Sequence, residues 1–360
     1  MAESVLTPGQ QSSTVAHKEW PVSSLRFDLV MGLFSMVFVS GLYLDGWAHA
    51  HGRVDTTFFT PWHVVLYTGY LVNVVVLIAV LLVNHVHGYP WKSSMPSGYG
   101  LSLVGVPLFA LAGVGDLIWH TFFGFEMDLQ AVLSPTHLLL ASSGMLILSG
   151  PIRATLRRPA LSVQGRFSSR LAQRWKTLLP LLLSLTALLS VFTFFTEFAH
   201  PYVNTWTVTT FSTAGQALGV ASILLQAGLL MGMIFLVIRR WRLPLGALTL
   251  VLTVNCCLMS VLADEYRLIP AILLAGIAAD LLLWWLRPAT TESAALRLFA
   301  FLVPLLLYLC YFITLMLTDN SITWSIHLWL GASVMAGGVG LVLSYLLVSP
   351  QGGATHAENL

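Results

Sequence analysis

The sequence predicts an all-α polytopic membrane protein, a bundle of about ten transmembrane helices arranged as hairpins. Three observations lead there. Of the 360 residues, 57% are hydrophobic and only 9% charged, whereas soluble domains carry about a quarter charged residues. Many windows of roughly 20 residues are almost purely apolar, long enough to cross a bilayer as helices. The net charge is only +2, without the basic footprint of a nucleic-acid-binding domain. The lipid bilayer, and no nucleic acid, is the expected partner.

The chain divides into an N-terminal tail (1–26), a transmembrane domain (27–348) and a C-terminal tail (349–360). The first tail is polar and lacks the short apolar core of a cleavable signal peptide. Spans are expected at 27–46, 61–83, 99–122, 132–152, 178–197, 209–238, 243–263, 269–287, 298–318 and 325–348. The sixth is long enough to require tilt or a part outside the membrane.

With ten spans, the connections alternate between two sides. Of the 17 Lys and Arg, all but Arg53 and Arg267 fall on one side. The positive-inside rule makes that side cytoplasmic and puts both termini there. The opposite, outer side gathers nine of the 15 acids and seven of the 11 histidines. A polar, metal-competent chamber is therefore expected at the outer boundary of the cell (cytoplasmic) membrane.

Ionisable groups at span ends are costly and are rarely kept without a task. Asp45, His49, His51, Asp55 and His63 crowd the first outer hairpin. Asp45 and His49, four apart on a helix, share a face and can reach one ion. Thr60 is a good N-cap and Pro61 a natural first helical residue, so His63 falls in the first turn of the second span. The hairpin thus offers one carboxylate and two imidazoles to a common point.

The second hairpin repeats the pattern. Asp116 and His120 are again four apart, Ser134-Pro135 again opens a helix, and His137 again follows the proline by two. Two matching sets in matching hairpins argue against chance capping. Asp128 is a further candidate in the second connection. His51 and Asp55 lie in a loop, where solvation explains them as well as a role in orienting a ligand does. Glu197 and His200 form Glu-x-x-His at the end of the fifth span. That spacing occurs in dimetal carboxylate bundles and equally suits a solvated interfacial pair.

Other polar residues carry less. Asp264, Glu265 and His327 read as interfacial. Asp280 lies well inside the eighth span and is expected to be paired, protonated or part of a proton relay. Cys256, Cys257 and Cys310 read as packing residues, with no disulfide framework or thiolate zinc motif. Trp47, Trp62, Trp119, Trp206 and Trp324 fit an interfacial aromatic belt. There is no Walker A motif, dinucleotide fingerprint or Gly-x-Ser-x-Gly elbow.

The stretch Asp45-x-x-x-His49, followed by Arg53-Val-Asp55-Thr56-Thr-Phe58-Phe59-Thr60-Pro61-Trp-His63, resembles the C subunit of the copper membrane monooxygenases, the particulate methane and ammonia enzymes. That family shows Asp-x-x-x-His, then Arg-Asp-Thr-x-Phe-Thr-Pro-x-His. The likeness is local to this motif. Val54 separates Arg53 from Asp55, and an extra Phe precedes Thr60. The family subunit is not known to carry a second set like Asp116, His120 and His137. The resemblance implies Asp45, His49 and His63 as ligands of a metal, usually copper, and implies partner membrane subunits and an electron donor.

The leading expectation is a metal-dependent oxidoreductase, similar to a copper monooxygenase. Copper, or alternatively iron, would activate dioxygen, and a small or apolar substrate would enter from lipid. The same residues suit a zinc-dependent membrane hydrolase. A metal or proton transporter is the non-enzyme alternative, although transporters tend to place their sites nearer the midplane.

Overall fold

The structure is a computed structural model, and it describes residues 20–53, 60–124, 128–158, 171–287, 293–318 and 322–347. The elements are helical throughout these residues. The main helices are α1 (Leu25–Ala50), α2 (Pro61–Val86), α3 (Gly100–Phe123), α4 (Asp128–Leu133), α5 (Pro135–Leu148) and α6 (Gly150–Arg157). There follow α7 (Leu171–Phe195), α8 (Trp206–Thr209), α9 (Thr213–Ile238), α10 (Ala247–Leu262), α11 (Ile269–Leu286), α12 (Ser293–Thr318) and α13 (Ile326–Leu347). Among the described residues, nine helices are long and apolar enough to cross a membrane, with α5 and α6 counted as one, Pro135–Arg157. The bundle is that of an all-α polytopic membrane protein.

Each of the ten expected spans has its helix, but two differ in form. The tenth member of the set, α10, is apolar but only 16 residues long. The span expected at 243–263 starts late because Gly246 is left-handed, at φ 92°. Gly246 brings no side chain to cap the helix it precedes. That task falls to Asp280 of α11, whose carboxylate accepts from the Leu248 and Thr249 N–H groups at 3.2 and 2.7 Å and from the Thr249 hydroxyl at 2.6 Å. The buried acid of the eighth span is thus a paired group that satisfies a helix start. The long sixth span is broken: α8 ends at Thr209, and Ser212 caps a fresh helix by accepting from Gly215 N. The continuous helix, α9, has 26 residues, the same as α1 and α2.

Packing follows chain order in two groups. Helix α1 packs on α2, α7 and α10, and α3 pairs with α5. A second run continues α10–α11–α12–α13, and α13 returns onto α9. Helix α7 is the most buried of the long helices and sits between the groups. Its neighbours α5 and α1 place both metal-candidate hairpins beside it.

The α1–α2 crossing is close because it uses glycine. A Cβ on Gly69 would lie 2.7 Å from the Phe38 Cα, and one on Gly41 would lie 2.8 Å from the Leu66 Cα. Backbone therefore meets backbone at two places below the hairpin's end.

The arginine-rich end is tied by a buried ion pair that the sequence reading did not anticipate. Arg158 meets Asp28, which is fully buried in α1, and also donates to Ser23 Oγ at 2.6 Å. The Tyr99 hydroxyl donates to the other Asp28 oxygen at 2.8 Å. One carboxylate thereby joins the start of α1 to the end of α6 and the approach to α3.

Candidate metal centre

Helix α1 runs to Ala50, so Asp45 and His49 lie on one face of its last turns. Thr60 opens α2 by accepting from the His63 N–H at 3.2 Å, with Pro61 as the first helical residue. That cap fixes where His63 emerges. Its Nε2 comes 3.5 Å from Asp45 Oδ2, and His49 Nε2 lies 3.9 Å from the same oxygen. Ligand atoms from Asp45, His49 and His63 all fall within 4.8 Å of one another.

The second hairpin builds the same arrangement. Ser134 accepts from the His137 N–H at 3.3 Å, again with proline at the first helical position. His120 Nε2 lies 3.5 Å from Asp116 Oδ2, and His137 Nε2 lies 3.2 Å from Asp116 Oδ1. Asp116, His120 and His137 form the second group that could hold a metal.

Donors that share one tetrahedral ion at about 2.1 Å sit about 3.4 Å apart. Both triads are close to that spacing. The first shows a further sign of fit: Asp45 Oδ1 is buried and has no hydrogen-bond partner among the described residues. A buried carboxylate oxygen left bare is costly unless something positive completes it. The second triad differs at one position. Thr136 stands where the first hairpin has Trp62, and its hydroxyl donates to Asp116 Oδ1 at 2.8 Å. Trp62 instead donates to the Arg53 carbonyl at 3.3 Å. The carboxylate oxygen satisfied in the second triad is therefore open in the first.

Five of the six triad residues, all but His120, line one cavity of about 580 Å³. Asp45, His49, His63, Asp116 and His137 line its polar part. Its walls are apolar, with Phe38, Leu66, Phe109, Leu140 and Phe194 prominent. Tyr67 also lines it, one turn along α2 from His63, with the two ring centres 6.3 Å apart. The four-residue spacing of His63 and Tyr67 was the signal that could have added Tyr67 to the candidates.

The remaining candidates disperse. His51 turns away from the triad. Its Nδ1 lies 2.7 Å from the Trp47 carbonyl, and its Nε2 lies 2.5 Å from Asp264. The carbonyl can only accept, so Nδ1 donates to it, and Nε2 shares a proton with the Asp264 carboxyl. The bond to Asp264, then that to Trp47, raises the His51 pKa, and His51 lowers that of Asp264. Asp55 lies outside the described residues. Asp128 begins α4, but its side chain lies outside them.

Glu197 and His200 do not form a shared ligand pair. Helix α7 ends at Phe195, and the chain tightens into a 3-10 turn, Glu197–Ala199. The one-face logic of an α-helix then fails, and the two side chains enter different spaces. Glu197 lines the large cavity, whereas His200 lines a small one of about 30 Å³ with Tyr202, Asn255 and Cys256. His200 Nδ1 accepts from the Tyr202 N–H at 3.2 Å. Burial lowers the His200 pKa to about 3 and raises that of Glu197 to about 7.

Fold and site together define a multi-pass helical membrane protein with two Asp/His groups able to bind metal. Comparison with family models, curated proteins and solved structures finds no match.

Proposed function

We propose that the protein is a metal-dependent oxidoreductase of the cell membrane, similar to a copper monooxygenase, that acts on a small apolar substrate. One observation carries the reading: the whole first Asp/His/His set, with Asp116 and His137 of the second, lines one apolar-walled cavity. A copper or iron ion held by Asp45, His49 and His63 would supply dioxygen activation. Asp45 would bring negative charge to the ion, through an oxygen that no other group among the described residues engages. His49 and His63 would complete a set of three donors, and both line the cavity. Phe38, Leu66, Phe109 and Phe194 offer an apolar molecule a place beside the donors.

Inserting one oxygen atom of dioxygen into a C–H bond, and reducing the other to water, consumes two electrons and two protons. The electrons would come from a separate donor, in keeping with the partner subunits that the motif resemblance implies. The arginine-rich end would face the cytoplasm with both termini, and the triads would lie toward the outer face.

The test begins with elemental analysis of the purified protein, followed by assay with dioxygen, a reductant and short-chain hydrocarbons. Bound copper or iron with dioxygen-dependent hydroxylation is the expected result. Metal-free protein after gentle extraction would remove the basis of the reading. Tightly bound zinc with no redox turnover would transfer it to the hydrolase class.

A further inference from the structure

Glu197 stands out among the groups that the triads do not use. It sits in the turn after α7 and lines the same cavity as Asp45 and His49 of α1, His63 of α2, Asp116 of α3 and His137 of α5. Among the described residues its carboxyl makes no hydrogen bond and no ion pair. The nearby polar groups are engaged elsewhere. The Tyr43 hydroxyl donates to the Ser190 carbonyl at 2.9 Å. The Asn204 amide donates to the Phe198 carbonyl at 2.8 Å and accepts from Trp206 at 3.1 Å. His200 is turned into the other cavity.

The chain on either side of Glu197 gives the cavity mostly apolar wall, with Phe194, Phe195, Phe198 and Val203 in its lining. A carboxylate without a partner in such surroundings is disfavoured in its charged form. Burial alone accordingly lifts its pKa to about 7. A structural carboxylate would have been given a cation or a set of donors, as Asp28 and Asp280 are. Its place is also suited to exchange. Gly52 and Phe198, exposed members of the same cavity lining, lie just past the ends of α1 and α7, so the cavity opens at the helix ends.

We propose that Glu197 is the proton-exchange group of the cavity, carrying protons between water at the rim and the molecules that react beside the triads. In the direction that the oxidoreductase reading requires, the Oε–H bond of the carboxylic acid breaks and its proton passes to an oxygen atom of the reacting molecules. The carboxylate is then reprotonated from water at the rim, and no electron moves through it. A poised group of this kind works best with a pKa near the operating pH. The role in turnover rests on the proposed oxidoreductase function, but the exchange itself does not.

The test is infrared difference spectroscopy of the full-length protein in lipid nanodiscs, with and without Glu197→Gln, alongside elemental analysis. We expect a protonated-carboxyl band that titrates near neutral pH, shifts promptly in heavy water and is missing from E197Q. We also expect E197Q to retain its full metal content, with turnover at least about a hundredfold lower. A carboxyl already ionised at pH 5, or a band that does not exchange with solvent, would overturn the proposal, and the wild-type protein alone can show either. Loss of metal from E197Q would make Glu197 a ligand and overturn it equally. A wild-type protein with the exchanging band but no redox metal would instead count against the oxidoreductase reading.

Discussion

His63 Nε2 stands 3.5 Å from Asp45 Oδ2, and the two residues belong to different helices. The first triad therefore exists only while α1 and α2 hold their crossing, with His49 sharing the Asp45 oxygen at 3.9 Å. His63→Ala and His49→Ala should each remove the metal of that triad and spare that of Asp116, His120 and His137. His137→Ala should do the reverse. Elemental analysis of the three variants decides between two centres and one: if any single change empties the protein, the triads share one centre. Unchanged occupancy in all three would remove the ligand assignment.

The caps place the second imidazole of each set. Thr60 and Ser134 each accept the N–H of the histidine three residues on. Thr60→Ala and Ser134→Ala should each cost about 1 kcal/mol of stability. Each should also weaken metal binding about tenfold in its own hairpin, as changes to groups that orient a ligand do. Chelator competition with each variant reads that affinity directly.

The single exchange between Trp62 and Thr136 makes the triads unequal. The Thr136 hydroxyl engages Asp116 Oδ1, and among the described residues nothing engages Asp45 Oδ1. An ion in the second triad must compete with that hydroxyl, so the first should fill at lower free metal. Thr136→Val, which keeps the shape and removes the donor, should narrow the gap between the two affinities. Calorimetric titration of metal into stripped protein would show it as two steps drawing together.

Asp280 offers a contrast between a cap and a relay. It accepts from two backbone N–H groups and one hydroxyl at the start of α10. Asp280→Asn keeps an acceptor oxygen and should hold most of the stability and turnover, whereas Asp280→Ala should cost about 1–3 kcal/mol. A D280N protein that folds normally but is inactive would speak for proton transfer instead.

His200 should make the protein acid-sensitive. Its folded-state pKa is lowered to about 3 from an ordinary value of 6.5. Below pH 6.5 the unfolded chain binds a proton there that the folded chain refuses. The stability contributed by the neutral ring is thus complete above pH 6.5 and is lost as pH falls toward 3. Between pH 6.5 and 5 the loss is about 2 kcal/mol. Thermal unfolding in detergent should follow this slope in the wild type and flatten in His200→Asn.

What the sequence made legible was local. The four-residue Asp–His spacing, the Thr-Pro and Ser-Pro helix starts and the antiparallel hairpins all act within about twenty residues, where helix geometry dictates who meets whom. Glu-x-x-His at 197–200 needs helical spacing to make a pair, but α7 ends at Phe195 and the two side chains line different cavities. Local spacing could not show Asp28 with Arg158, or Asp280 with Leu248 and Thr249, since those pairs lie 130 and about 31 residues apart in the chain. Nor does spacing alone show that two hairpins face one cavity; that depends on how α1 and α5 both lean on α7.

The glycine contacts between α1 and α2 bear on which residues the first hairpin can accept. Gly41 and Gly69 set main chain against main chain within one or two turns of Asp45 and His63, with no side chain between to bend or repack. A bulkier residue at either glycine has no space to occupy, so Gly41→Val or Gly69→Val should force α1 and α2 apart and carry His63 away from Asp45.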